Sequence, residues 1–355
     1  MVPLPTYFSD FISSIRPSDE DLDEFRKAHK ELRDRLCADE TLSPIIVTTF
    51  LQGSYKRSTA VRPKAGKKGD VDVVVVTTID HTTITPDEAI KMFVPFMEKH
   101  YKGKYELQGR SIGITLKYVA LDLVITAAPS ETEQDTFKSA SFTEDATLEE
   151  PEFVERFTRD QPQWKLAALL IPDRDVKKWV PTHPLRQIEE TQKKNARCGG
   201  FYLNVVKALK WLRQRFDEPE HPKGYPVEHL IWTCCPDGIA SLAQGITETL
   251  EAIVRSYPQK PFLPDHGVPE HDVMKRVSDE DYALFYKKMR DVALLARTAL
   301  NELERDKSAG MWWELFGDPF PKPKGGTGGD GGGPKTDGYT PRTKPSRIEG
   351  GGRFA

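Results

Sequence analysis

Cysteine is scarce in this sequence, and long apolar runs are missing from it. The 355 residues include 4 cysteines, which form no CxxC pair. Reduced thiols in a cytosol are the simplest interpretation. A zinc site made of Cys234, Cys235, His266 and His271 is an alternative, although adjacent cysteines rarely bind one tetrahedral ion. No apolar run approaches the ~20 residues of a membrane span, and no signal peptide is recognisable, so we expect a cytoplasmic protein without a membrane partner.

Charge is small in total but unevenly distributed. The formal net charge is −3. Residues 321–355 contain 7 Lys and Arg against 3 Asp and Glu, so this tail is about +4 and the rest about −7. A body this acidic argues against a protein that grips a long nucleic acid. It does not argue against a local basic pocket for a few nucleotides.

Hydrophobic periodicity predicts two lobes of different architecture. A helix is expected over 18–38, a buried strand over 71–76, a capped helix from 85, and two strands within 113–126. The chain becomes helical from about residue 187. We therefore predict an α+β fold with a small mixed sheet in a catalytic lobe (1–185) and a mostly helical nucleotide-binding lobe (186–320). Residues 321–355, with 11 glycines, are expected to be a disordered tail.

Asp70 and Asp72 open the buried strand. Alternate residues of a strand point to one face, so both carboxylates project together. Adjacent carboxylates repel each other unless a cation neutralises them, and Mg²⁺ prefers such oxygen ligands. In isolation this motif is also consistent with a solvated pair of aspartates at a strand edge.

Two neighbouring features favour a catalytic interpretation of that pair. Gln52, Gly53 and Ser54 come before it, and a Gly-Ser turn allows close backbone approach and hydrogen bonds to phosphate. Asp122 interrupts an apolar strand, where a lone carboxylate is unfavourable. It is either a hydrogen-bonded structural residue or the third carboxylate of a metal site, placed to accept the proton of an attacking hydroxyl.

The order of Gly-Ser, loop, DxD strand and later carboxylate resembles the DNA polymerase β-like nucleotidyltransferase superfamily. The segments 53–63, 263–272 and 313–317 are similar to the bacterial cyclic-oligonucleotide synthases of anti-phage systems (CD-NTases of CBASS), and to clade D above all. The resemblance implies a polymerase β-like catalytic lobe in which Asp70, Asp72 and Asp122 hold two Mg²⁺ ions, replaceable by Mn²⁺. It also implies ATP and GTP as substrates, and a cyclic trinucleotide containing AMP and GMP as product.

The same resemblance implies contacts outside the triad. Lys210 would reach the triphosphate and Tyr225 would stack on a base, whereas Lys207 and Lys210 could equally form a solvated helix face. The chain lacks a Cys/His-rich thumb and an extended basic surface, so no DNA activator is implied. Operons of this family often encode E1/E2-like conjugating enzymes, so the C-terminal Ala355 is the expected conjugation site.

Two alternatives share the same residues. A template-independent polymerase or small-molecule nucleotidyltransferase would use an identical carboxylate triad, although a polymerase should show a basic track for its primer. A non-catalytic scaffold of the same fold belongs to a different class, and the presence of all three aspartates argues against it.

Overall fold

The structure is a computed structural model that describes residues 3–64, 66–128, 130–139 and 168–323. The expectations for the tail, Ala355 included, lie outside these residues. In chain order the elements are α1 (Pro5–Ile15), α2 (Asp19–Ala38), a 3₁₀ turn (Ser43–Ile45), β1 (Ile46–Gln52), α3 (Gly53–Lys56), β2 (Gly69–Thr77), α4 (Pro86–Lys91), α5 (Val94–His100), β3 (Tyr105–Leu107), β4 (Ile112–Thr115), β5 (Val119–Ala127), α6 (Glu131–Ser139), β6 (Leu169–Asp173), β7 (Lys178–Thr182), α7 (Pro184–Arg197), α8 (Tyr202–Gln214), α9 (Tyr225–Cys234), α10 (Leu242–Ser256), α11 (Asp279–Asn301) and α12 (Arg305–Phe316).

The strands form one mixed sheet in the order β1-β2-β5-β4-β3, with β6 beside the end of β5 and β7 beside β6. The central strands β2 and β5 run parallel, while β1 and β4 flank them antiparallel. The β-branched run of β2 is fully buried, because both faces of the sheet are covered. The predicted α+β fold with a mixed sheet is therefore confirmed.

Two apolar cores cover the two faces of this sheet. Val71, Val73 and Val75 pack under α2, α4 and α5. Val74 and Val76 face the larger core, which continues into the helices from α7 to α12. β2 is thus fixed from both sides by packed side chains.

Several elements differ from the sequence expectation. α1 was not predicted, and its Phe8 and Phe11 pack on α12, with ring centroids 5.1 Å from Trp312 and 4.4 Å from Phe316. The capping box at Thr85 is present, but the helix it opens ends at Lys91 because Pro95 starts a second one. The hairpin β6–β7 was missed because each of its short strands contains a proline.

In the portion of the chain with described coordinates, no helix combines the length and the apolarity needed to cross a bilayer.

Candidate active site

Asp70, Asp72 and Asp122 converge near the N-terminal ends of the two central strands, β2 and β5. β2 carries the first two on the same side, and the parallel register places Asp72 directly beside Asp122 of β5. One carboxylate oxygen from each residue lies within 4.8 Å of the others. Among the described residues, this is the one group of three or more acidic, histidine or cysteine side chains close enough to share a metal ion.

Repulsion and burial make this cluster unfavourable when no cation neutralises it. Burial, and then the charges of Asp72 and Asp122, raise the pKa of Asp70 to about 8. Burial, followed by Asp72 and Glu106, raises the pKa of Asp122 to about 6. Burial also raises the pKa of Asp72, against the opposing effects of Arg57 and Lys210. Three carboxylates held in this way are a hard-oxygen donor set that suits a divalent cation.

Position 53 must be a glycine because the Asp72 carboxylate lies directly against it. β1 pairs antiparallel with β2 so that Gln52 lies opposite Asp72, and Gly53 follows with a φ of +72°. A Cβ atom on Gly53 would lie 1.8 Å from Oδ2 of Asp72. The sequence reasoning attributed this glycine to phosphate approach, and the structure adds a steric reason: only glycine leaves room for the Asp72 side chain.

A cleft of about 530 Å³ opens between the edge of the sheet and helices α8 and α9. Ser54, Asp70 and Lys210 all line it, so the serine of the Gly-Ser turn, one carboxylate of the triad and the predicted phosphate lysine face one cavity. Cations outnumber carboxylates along its wall, a composition that favours an anionic occupant. The lining cations are Lys64, Lys67, Lys68, Lys210, Arg213 and Lys223, against Asp70, Asp217 and Glu220.

Lys210 is held by a buried carboxylate that sequence reasoning missed. Its Nζ donates to Oε1 of Glu228 at 2.6 Å. The other oxygen, Oε2, accepts from Nη2 of Arg57 at 3.1 Å and from Oγ1 of Thr59 at 2.9 Å. A glutamate in a helix rich in apolar residues was the available signal, but its partners lie far away in sequence. The alternative of a solvated lysine face is wrong, because Lys207 and Lys210 both lie largely inside the protein.

Tyr225 begins α9 and does not line this cleft. The Arg57 guanidinium lies 5.4 Å from its ring centroid, and the ring meets His229 edge-on. Burial, together with Asp265, raises the pKa of the Tyr225 hydroxyl well above its usual range. Base stacking by Tyr225 stays a prediction.

The alternative of a zinc site at Cys234, Cys235, His266 and His271 is wrong. Cys235 lies with its Sγ 3.9 Å from Sγ of Cys198, and among the described residues these cysteines and histidines form no group close enough to share a metal ion. His266 instead packs on His229 and Trp232, with ring centroids 4.2 Å and 4.1 Å away. These side chains form a buried sulfur pair and an aromatic cluster.

The raised pKa values predict how pH affects the metal-free protein. A carboxyl whose pKa is higher in the folded state destabilises the fold once it ionises, so stability is lost from roughly pH 4 up through the folded value. For Asp70 that folded pKa is about 8. In EDTA, the melting temperature should therefore fall from about pH 6 to about pH 8, and Mg²⁺ should reverse the fall.

Asp70→Asn provides the comparison, because it removes the carboxyl whose pKa is raised to about 8. Its melting temperature in EDTA should fall less over the same range. Asp34→Asn, which changes an exposed aspartate of α2 that is 68% accessible, should behave like the unmodified protein. Identical pH dependence in Asp70→Asn and the unmodified protein would contradict this account of the triad.

A mixed sheet with three convergent carboxylates, a preceding Gly-Ser turn and an adjoining basic cleft defines a nucleotidyltransferase. Sequence comparison extends this conclusion. Residues 2–141 match the family described as the Second Messenger Oligonucleotide or Dinucleotide Synthetase domain. A probable cyclic AMP-AMP-GMP nucleotide synthase of Salmonella paratyphi B is 44% identical, over 99% of this chain and 100% of that protein. A cyclic AMP-AMP-GMP synthase of Enterobacter hormaechei subsp. hoffmannii is 42% identical with the same coverage.

Solved structures with low sequence identity share the fold. CdnC of E. coli MS115-1 with ATP superposes with a TM-score of 0.64 at 13% identity, over 89% of this chain and 98% of that one. The Vibrio cholerae cyclic AMP-GMP synthase DncV, bound to a linear intermediate, gives 0.63 at 12% identity, over 89% and 96%. The chain belongs to the bacterial CD-NTases, the family of second messenger oligonucleotide synthetases, as its sequence motifs indicated.

Proposed function

We propose that this protein joins AMP units from ATP and a GMP unit from GTP into a cyclic trinucleotide second messenger, in bacterial defence against phage. The two relatives that match it over nearly the whole length are named for cyclic AMP-AMP-GMP. A third, 28% identical and from Acinetobacter, is named a cyclic AMP-AMP-AMP synthase. The higher identity to the first two supports mixed adenine and guanine incorporation.

The observation that carries this proposal is the triad, one of whose carboxylates, Asp70, lines the basic cleft. Its three carboxylates fit a divalent cation, because their oxygens converge and the pKa values of all three are raised. Mg²⁺, or Mn²⁺ in its place, is the cation we propose for Asp70, Asp72 and Asp122. Two such ions, when bound, would neutralise the reacting phosphate and polarise the attacking and leaving oxygens.

The residues of the chain then orient the substrate and move one proton. Ser54 and Lys210 line the cleft beside Asp70 and are proposed to bind the triphosphate. A ribose hydroxyl attacks the α-phosphorus in line, so that a new oxygen–phosphorus bond forms while the α–β phosphoanhydride bond breaks. Asp122 accepts the hydroxyl proton and pyrophosphate leaves. Repetition followed by ring closure gives the cyclic product.

Product analysis tests the proposal directly. Purified protein with ATP, GTP and Mg²⁺ or Mn²⁺ should yield a phosphatase-resistant compound whose mass equals two AMP and one GMP units without a terminal phosphate. Omission of GTP should abolish that compound, and the Asp70→Asn protein should not form it. Chains that end in a 5′-triphosphate, with no ring, would instead support the polymerase alternative.

The remaining site predictions concern positions that the structure leaves untested. Tyr225 is proposed to stack on a nucleobase, from the position at which α9 begins. Conjugation at Ala355 by an E1/E2-like enzyme stays a prediction from the family resemblance.

A further inference from the structure

Glu228 connects parts of the chain that are far apart in sequence. It lies on α9 with 5% of its surface exposed. It receives hydrogen bonds from Arg57 and Thr59, which follow the Gly-Ser turn, and from Lys210 on α8. The loop on the sheet side and the two helices of the cleft therefore meet at this one carboxylate.

The loop between Arg57 and Thr59 has a conformation that needs such an anchor. Ser58 has a φ of +55°, an uncommon backbone conformation for a residue with a side chain. Conformations of this kind persist when the surrounding structure fixes them. Here both neighbours of Ser58 bind the same carboxylate oxygen, Oε2 of Glu228, so that contact fixes the loop on either side.

The charges in this cluster act on the catalytic carboxylates. Burial disfavours the ionised form of Glu228, but Lys210 and Arg57 outweigh it and lower the pKa of that carboxyl to about 2. The charges of Arg57, Glu228 and Lys210 all affect the pKa of Asp72. The cluster is thus next to the triad, and Glu228 stays ionised there.

We propose that Glu228 is a positioning residue, which fixes the Lys210 ammonium at the wall of the cleft for the substrate triphosphate. The inference rests on the proposed role of Lys210 in phosphate binding. Lys210 has four rotatable side-chain bonds, and its short contact with Oε1 of Glu228 restricts it to one position.

Removing the negative charge of Glu228 should affect nucleotide affinity in opposite directions, depending on whether charge or the positioning of Lys210 dominates. Glu228→Gln takes an anion away from an anion-binding cleft, so charge alone predicts tighter binding of a nucleotide. Loss of the anchor for Lys210 predicts weaker binding. We expect α,β-methylene-ATP with Mg²⁺, measured by calorimetry, to bind Glu228→Gln about 10-fold more weakly, the effect of losing one charge-assisted hydrogen bond.

A double-mutant cycle separates positioning from a general structural role. In the Lys210→Met protein, the analogue should bind about 10-fold more weakly, and adding Glu228→Gln should cause no further loss, since only its charge effect, which favours binding, remains. If Glu228→Gln lowered the affinity for the analogue equally in the presence and in the absence of Lys210, the proposal would be overturned. Tighter or unchanged binding of the analogue by the Glu228→Gln protein would also overturn it. Unchanged binding by Lys210→Met would remove the phosphate role of Lys210, and with it the premise.

Two further variants keep the test decisive if Glu228→Gln fails to fold. Glu228→Asp preserves the charge but shortens the side chain, so this variant should fold. It should bind the analogue several-fold more weakly than the unmodified protein does. In the Lys210→Met background, Glu228→Asp should cause no such loss. Glu189→Gln is the matched control. Glu189 is a buried carboxylate that holds Arg186 at 2.8 Å and Lys193 at 2.7 Å, and it does not line the cleft. Its replacement should leave analogue binding unchanged.

Discussion

Asp72→Asn is expected to reduce formation of the cyclic product at least about 100-fold while the protein remains folded. Asp72 lies at the centre of the site, between Gln52 of β1 and Asp122 of β5. Asparagine has the same shape, so the strand register and the close approach of Gly53 are preserved. What is lost is one of the three charges that would hold the divalent cations. Asp70→Asn should have a similar effect.

Stability should change in the opposite direction from activity. The substitution relieves repulsion within the triad, so the melting temperature in EDTA should be unchanged or higher. Turnover of ATP and GTP is measured beside the melting temperature, with Asp34→Asn as the surface control. A well-folded Asp72→Asn protein with normal turnover would refute the catalytic role of the triad.

The sequence was most informative where structure is determined by near neighbours. The run of valines after Asp70 predicts a strand buried on both faces, and β2 is one. The capping box at Thr85 is formed as its residues predict. The DxD spacing fixes two carboxylates on one side of a strand whatever the rest of the chain does. These features need only a few adjacent residues, so they can be derived without knowledge of the tertiary fold.

Features that depend on distant segments were not predictable in the same way. Arg57 and Glu228 lie 171 positions apart and meet only when the helices close over the sheet. α1 packs on α12 from the opposite end of the described chain, so its apolar face has no local partner to reveal it. The parallel register that sets Asp72 beside Asp122 also depends on the crossover between β2 and β5.

Gly53 shows how a local motif and a distant requirement combine. The Gly-Ser turn was recognised from sequence and interpreted through phosphate binding. The structure places the Asp72 carboxylate against the Cα of Gly53, in addition to a backbone φ of +72°. A side chain at this position therefore affects both the backbone and a carboxylate of the triad.

Gly53→Ala is accordingly expected to reduce product formation about 100-fold, the effect of moving a catalytic group by roughly 1 Å. The new methyl group would lie 1.8 Å from Oδ2 of Asp72, so the carboxylate or the turn must move. The positive φ adds strain of about 1–2 kcal/mol, which lowers stability but does not by itself affect the site.

Gly103→Ala separates these two effects. Gly103 has nearly the same φ, +70°, and a Cβ atom there would meet nothing within 4 Å among the described residues. Gly103→Ala should therefore lose unfolding free energy through backbone strain alone, and Gly53→Ala should lose at least as much in denaturant titrations, while only Gly53→Ala loses turnover. Because Asp72 is displaced, Gly53→Ala should also require more Mg²⁺ for half-maximal activity. Equal turnover in the two alanine variants would mean that the contact between Gly53 and Asp72 does not constrain the catalytic carboxylates.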